Sequence, residues 1–163
     1  MNKKQLFFIA AVLSPFLFSS CKKASADACT YTESTLVAPA SEVATLQAYL
    51  AASGHPLAIQ HPSGIFYEIT TQGTGASPAI CSNLLVKYSG YLLNGTKFDE
   101  NLTGASFVLG QLIVGWQKGL PLLKKGGTMN LYVPPSLGYG ANTVGVIPGN
   151  SNLIFVIQLI DVQ

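Results

Sequence analysis

The chain has 163 residues, 48% hydrophobic and 10% charged, with a formal net charge of +2; this suits one domain with an appendage and is apolar enough for a packed core. Two of the nine basic residues, Lys3 and Lys4, lie at the N-terminus; without them seven lysines face seven acidic residues, and arginine is absent. A neutral, arginine-free body is poorly made to grip phosphate backbones, so no nucleic acid is expected as a partner.

Residues 1–20 read as an export signal. Asn2-Lys3-Lys4 gives the positive start, and Leu6 to Phe18 an apolar stretch too short for a comfortable membrane span. The stretch ends in Phe18-Ser19-Ser20-Cys21, which resembles the lipobox of bacterial lipoproteins. That resemblance implies cleavage before Cys21, diacylglycerol on its thiol, and a lipid anchor in the cell envelope, at the outer membrane on its periplasmic or surface side. The competing readings are an ordinary signal cut after Ala24-Ser25-Ala26 and, last, a buried N-terminal helix. Export leads to an oxidising compartment where disulfides persist. Cys29 and Cys81 then either form a bridge pinning the appendage to the main domain or remain as two thiols. With His55 and His61 they lack the spacing of a zinc site, and no metal or other cofactor is expected.

Residues 22–40 are small and polar and read as a tether. Ser41 is placed to cap a helix running to about Ser53, with Val43, Leu46, Tyr49 and Leu50 at helical spacing and Gly54 to end it. Such a stripe packs inward or, as a rival, forms a dimer face. His55 to Pro62 reads as a linker with two prolines. The division is thus signal 1–20, tether and helix 21–62, and main domain 63–163.

From Gly64 the period becomes that of strands. Ile65, Tyr67 and Ile69 alternate with Phe66, Glu68 and Thr70; Leu84 to Leu93 follows, closed by the tight-turn pair Asn94-Gly95. A second short strand carries Phe98-Asp99, and another is Phe107-Val108-Leu109. Leu112 to Leu120 reads as the single helix of this domain, with Trp116 on its buried side. Thr128 to Val133 and Asn152 to Val162 complete the set. The predicted fold class is α+β: an antiparallel β-sheet wrapped around one short helix, with an N-terminal helical extension.

Four separated pieces carry a family resemblance: Val86-Lys87-Tyr88-Ser89-Gly90, Asn94 to Asp99, Leu112-Ile113-Val114-Gly115-Trp116, and Leu137-Gly138-Tyr139-Gly140-Ala141. In this order they resemble the FKBP-type peptidyl-prolyl cis-trans isomerases over about 63–163. The resemblance implies a catalytic set of Tyr88, Phe98, Asp99, Tyr139 and Phe155, and a substrate-binding set of Leu112, Ile113, Trp116, Val146 and Ile147. Trp116 would be the floor under a proline ring, and Tyr88, Phe98 and Phe155 walls. The Ile147 N–H and the Tyr139 hydroxyl would hold substrate carbonyls. Taken singly, each of these residues has a plain core or turn role; their joint order carries the resemblance.

The implied activity is peptidyl-prolyl isomerisation of exported, proline-containing polypeptides, with macrolides as implied inhibitors. The sequence departs from the family at Ala105, where an aromatic is usual, and in having no arginine to partner Asp99. The loop from Asn142 to Asn150 is also short. These departures keep alive a second function, a non-catalytic module that binds peptides in the same pocket. A third is a structural lipoprotein dimerising through the Ser41 helix. Hydrolase readings lack residues: the histidines sit in the linker, and no Gly-x-Ser-x-Gly elbow is present.

Overall fold

The computed structural model describes residues 29–163; the signal segment and Cys21 lie outside the described residues. Helix α1 (Ala40–Ala52) leads to strands β1 (Ile59–Gln60), β2 (Phe66–Thr71), β3 (Asn83–Leu92) and β4 (Lys97–Val108). Helix α2 (Val114–Gly119), β5 (Thr128–Val133) and β6 (Leu153–Val162) complete the chain. The six strands form one sheet in the order β1-β2-β5-β6-β3-β4, every neighbour antiparallel.

Alternation decides what each sheet face buries. Met129, Leu131 and Val133 of β5 and Leu153, Phe155, Ile157 and Leu159 of β6 point to one face, where α2 covers them. The helix can lie this close because two of its residues lack side chains. A Cβ at Gly115 would stand 2.5 Å from Val133 Cγ1, and one at Gly119 2.7 Å from Leu131 Cδ1. α2 is shorter than the stretch 112–120 expected from sequence. Ile113 is extended (ψ 149°), and Leu120 to Leu122 tighten into a 3-10 turn with Pro121 in it.

The opposite face of the sheet receives α1. Leu46 and Leu50 are buried there against Phe66 and Tyr132, so the apolar stripe of α1 is spent on the domain itself. The helix starts one residue before Ser41, with Pro39 in the N-cap position and no side-chain cap. Its end is a Schellman closure: Gly54 has φ +79°, and the His55 N–H donates to Leu50 O at 3.1 Å. Near its start, Glu42 accepts hydrogen bonds from Ser136 N (3.0 Å) and Ser136 Oγ (2.8 Å).

Two stretches differ from the sequence-based reading. Within the expected linker, Ile59–Gln60 pairs with β2, because the turn 61–64 returns the chain on itself (His61 N to Ile65 O, 2.9 Å). And the segments around Phe98 and Phe107 are one strand, β4. Its apparent interruption, Asn101 to Gly104, is a kink in which Asn101 Oδ1 accepts from Thr103 N (3.1 Å) and Gly104 N (2.8 Å). Before α1, Cys29 is disulfide-bonded to Cys81, 52 residues away, with Cα atoms 5.8 Å apart. The Ala38 N–H donates to Ser63 O at 2.9 Å, so residues 29–38 run as a strap along the domain.

Leu46→Ala would open a cavity under α1 and is expected to cost about 2–5 kcal/mol in urea unfolding. A loss below about 0.5 kcal/mol, the range of surface changes, would show that α1 does not pack on the sheet.

Candidate active site

Between α2 and strands β3, β4 and β6 lies a cavity of about 300 Å³. Its base is Trp116, 4% exposed. The indole meets Phe155, Tyr88 and Phe107 at centroid distances of 5.3, 5.4 and 6.3 Å, each within 5° of perpendicular. Phe98 packs on Phe155 in the same way, at 5.6 Å and 85°. Edge-to-face pairs are each worth about 0.5–1.5 kcal/mol beyond their buried area, so the rings hold one another upright.

Strand pairing sets where the rings stand. Gly90 of β3 lies opposite Phe155 of β6 on one side and Asp99 of β4 on the other. A Cβ at Gly90 would be 2.5 Å from Phe98 Cζ and 3.3 Å from Phe155 Cε1. Only a glycine lets these rings come so close to the strand. Strict alternation would send Phe98 and Asp99 to opposite faces. The β3–β4 register slips between Gly90 and Tyr91, leaving Phe98 as the extra residue of a bulge. The bulge re-aims one side chain, so both Phe98 and Asp99 reach the cavity.

One carboxylate stands in this apolar wall. The Tyr88 hydroxyl donates to Asp99 Oδ2 at 2.6 Å, so in a chain without arginine the acid is oriented by a phenol. Burial, reinforced by the bond to Asp99, pushes the Tyr88 hydroxyl up to about 12. Burial and then the charge of Asp99 also raise Tyr139 above its ordinary value. Both phenols are thus held in the protonated form, and Tyr88 uses its proton as a donor to Asp99.

The residues singled out in the sequence do not all converge. Tyr88, Phe98, Asp99 and Phe155 from the strands, Leu112, Ile113 and Trp116 at the entry of α2, and Tyr139 from the loop beyond β5 line the cavity. Val146 and Ile147 do not: Val146 is 68% exposed outside it, and Ile147 is buried in the core. The expectation that the Ile147 N–H holds a substrate carbonyl is corrected, because that N–H donates to Val144 O at 2.9 Å. The Ile113 N–H, in a residue that does line the cavity, donates to no acceptor among the described residues. Two lining residues escaped the sequence reading, Phe107 and Gln111. Phe107 supplies an aromatic wall although Ala105 does not. Its position in a strand of alternating pattern was a usable signal, whereas Gln111 carries none.

Comparison with known proteins agrees with this geometry. The family model described as FKBP-type peptidyl-prolyl cis-trans isomerase matches residues 75–160. The FKBP-type peptidyl-prolyl cis-trans isomerase FkpA of Buchnera aphidicola subsp. Schizaphis graminum is 42% identical over 105 residues, covering 62% of this chain and 42% of that protein. The outer membrane protein MIP of Legionella longbeachae is 42% identical over 106 residues, covering 63% of this chain and 46% of its own length. The crystal structure of FkpA from Escherichia coli superposes with a TM-score of 0.69 at 34% identity, covering 75% of this chain and 59% of that one. The chain thus spans less than half the length of these two curated relatives.

Because burial, and then the bond to Asp99, hold the folded pKa of Tyr88 above its ordinary 10.0, the stability linked to the protonated phenol is complete below about pH 10 and is lost as pH rises through about 12. The phenolate absorbance of wild type minus Tyr88→Phe is expected to titrate with a midpoint near 12. A midpoint at the ordinary tyrosine value would show that the hydroxyl is neither buried nor bonded.

Proposed function

The chain belongs to the family of FKBP-type peptidyl-prolyl cis-trans isomerases, and from that premise we propose that it accelerates Xaa–Pro rotation in exported polypeptides. One observation carries the reading: a cavity walled by perpendicular rings on an indole floor, with a single oriented carboxylate in the wall.

The chemistry asks for little more. A peptide bond resists rotation by about 18–20 kcal/mol because of resonance. Xaa–Pro bonds populate both isomers but exchange over tens of seconds or longer. At the top of the barrier the amide is twisted, its nitrogen is pyramidal, and its charge separation is smaller than in the planar form. An apolar, water-poor cavity binds that state better than the planar one, which is differential binding of the transition state. A thousandfold acceleration needs about 4 kcal/mol.

Each group then has a role. Trp116 carries the proline ring. Tyr88, Phe98, Phe107 and Phe155 exclude water from the twisting bond. The Ile113 N–H and the Tyr139 hydroxyl hold carbonyls of the peptide on either side. Asp99, fixed by Tyr88, lies where it favours the pyramidal nitrogen over the planar amide. The same walls suit the macrolide inhibitors of the family, and we extend the proposal to them.

We propose further a signal over 1–20, a lipid anchor at Cys21 in the cell envelope, a tether and helix over 21–62, and the isomerase domain over 63–163. The lipobox supports it, as does similarity to a protein named for the outer membrane.

The test is the rate of cis-to-trans change in short Xaa-Leu-Pro and Xaa-Phe-Pro peptides. Wild type should accelerate it. Asp99→Ala removes a charged hydrogen-bond partner worth about 1.5–3 kcal/mol, so kcat/KM should fall roughly ten- to a hundredfold with the fold intact. Unchanged turnover in both Asp99→Ala and Phe98→Ala would remove this cavity as the site.

A further inference from the structure

We infer that Tyr31, on the strap before α1, is a positioning residue for the pocket: anchored by the Cys29–Cys81 bridge, it holds the Gln111 side chain at the pocket rim. The inference rests on the reading of this cavity as the peptide site.

The contacts are specific. Gln111 lines the cavity, and its Nε2 donates to Tyr31 Oη at 2.6 Å, across 80 residues of sequence. The Tyr31 ring lies directly on the backbone of Gly110. A Cβ there would stand 2.7 Å from Tyr31 Cβ and 2.8 Å from Cδ1, so no other residue type admits the ring. The turn 109–111 is held from its other side as well. The Leu109 N–H donates to Ser82 O at 3.1 Å, and Ser82 follows Cys81, the bridge partner of Cys29. Tyr31 stands two residues beyond Cys29. One disulfide therefore joins the two pieces of chain that clamp the rim.

The consequence is for binding, not for rotation. Gln111 is an exposed, flexible side chain next to Leu112 and Ile113. Left free, it would lose rotamer freedom each time a peptide ordered it. Tied to Tyr31 it is ordered beforehand, and binding is spared that cost. Its carbonyl oxygen remains available to a donor of the peptide beside the proline.

The experiment uses the full, oxidised chain and a Leu-Pro peptide, with KM and kcat from the isomerisation rate. Kd comes independently from the fluorescence of Trp116, the sole tryptophan. Tyr31→Phe keeps the ring on Gly110 and removes only the hydroxyl, so folding is spared. Tyr31→Phe and Gln111→Ala should each raise KM and Kd about two- to tenfold, the span of one hydrogen bond, with kcat unchanged. The double variant should be no worse than the more impaired single. Cys29→Ser should show the same loss. Either single matching wild type, or two effects that multiply, would overturn the role of Tyr31, and full affinity in Cys29→Ser would overturn the anchor. Should wild type bind the peptide without speeding rotation, the isomerase reading falls while the Kd ratios still decide on Tyr31.

Discussion

The perpendicular packing of rings on Trp116 is the interaction on which the rest of this structure depends. An indole at the base of a cavity offers a flat apolar surface only if something stops neighbouring chains from closing over it. Tyr88, Phe107 and Phe155 do this by standing edge-on, at 85°, 87° and 90°. Each ring is braced by another, and the space between them stays open and apolar. The sheet and the short helix are the means of holding these rings at that spacing.

Small departures from ideal strand geometry make the arrangement possible. Without the bulge at Phe98 the carboxylate and the phenyl ring would face opposite ways. Without a glycine at position 90 the bulge could not press its ring against β3. Glycines at 115 and 119 bring α2 close enough for its tryptophan to become a floor. The single charge among these rings then needs an internal partner. The Tyr88 hydroxyl supplies it at 2.6 Å.

Much of the framework was legible in the sequence, for reasons of period. β6 alternates between buried and more exposed residues because one of its faces meets the main core, and Asn94-Gly95 marks its turn through chemistry that few dipeptides share. The stripe of α1 likewise marks a helix with one face to bury, inward or in a dimer. What escaped depends on register or on distant contacts. Asn101 to Gly104 reads like a loop, yet its hydrogen bonds are those of a kink within β4. A bulge has no local signature, so the shared orientation of Phe98 and Asp99 could be inferred only from the family pattern. Nothing in the sequence shows that the Ile147 N–H is spent on Val144 O, a pairing made by the folded loop. Tyr31 and Gln111 are common polar residues far apart, and only folding makes them neighbours.

The extension before β2 is tied to the pocket from two sides. Tyr31 meets the rim at Gly110 and Gln111, while Glu42 grips Ser136, ahead of Tyr139. Turning a bound proline amide, beyond merely holding it, is what we propose this cavity does. The most direct measurement is NMR exchange spectroscopy on a Leu-Pro peptide with a small fraction of the wild-type chain. A working isomerase gives cis–trans exchange cross-peaks that build up far faster than the uncatalysed interconversion allows. Peptide resonances that shift on binding, with no gain in exchange, would mean that the cavity holds proline peptides without turning them.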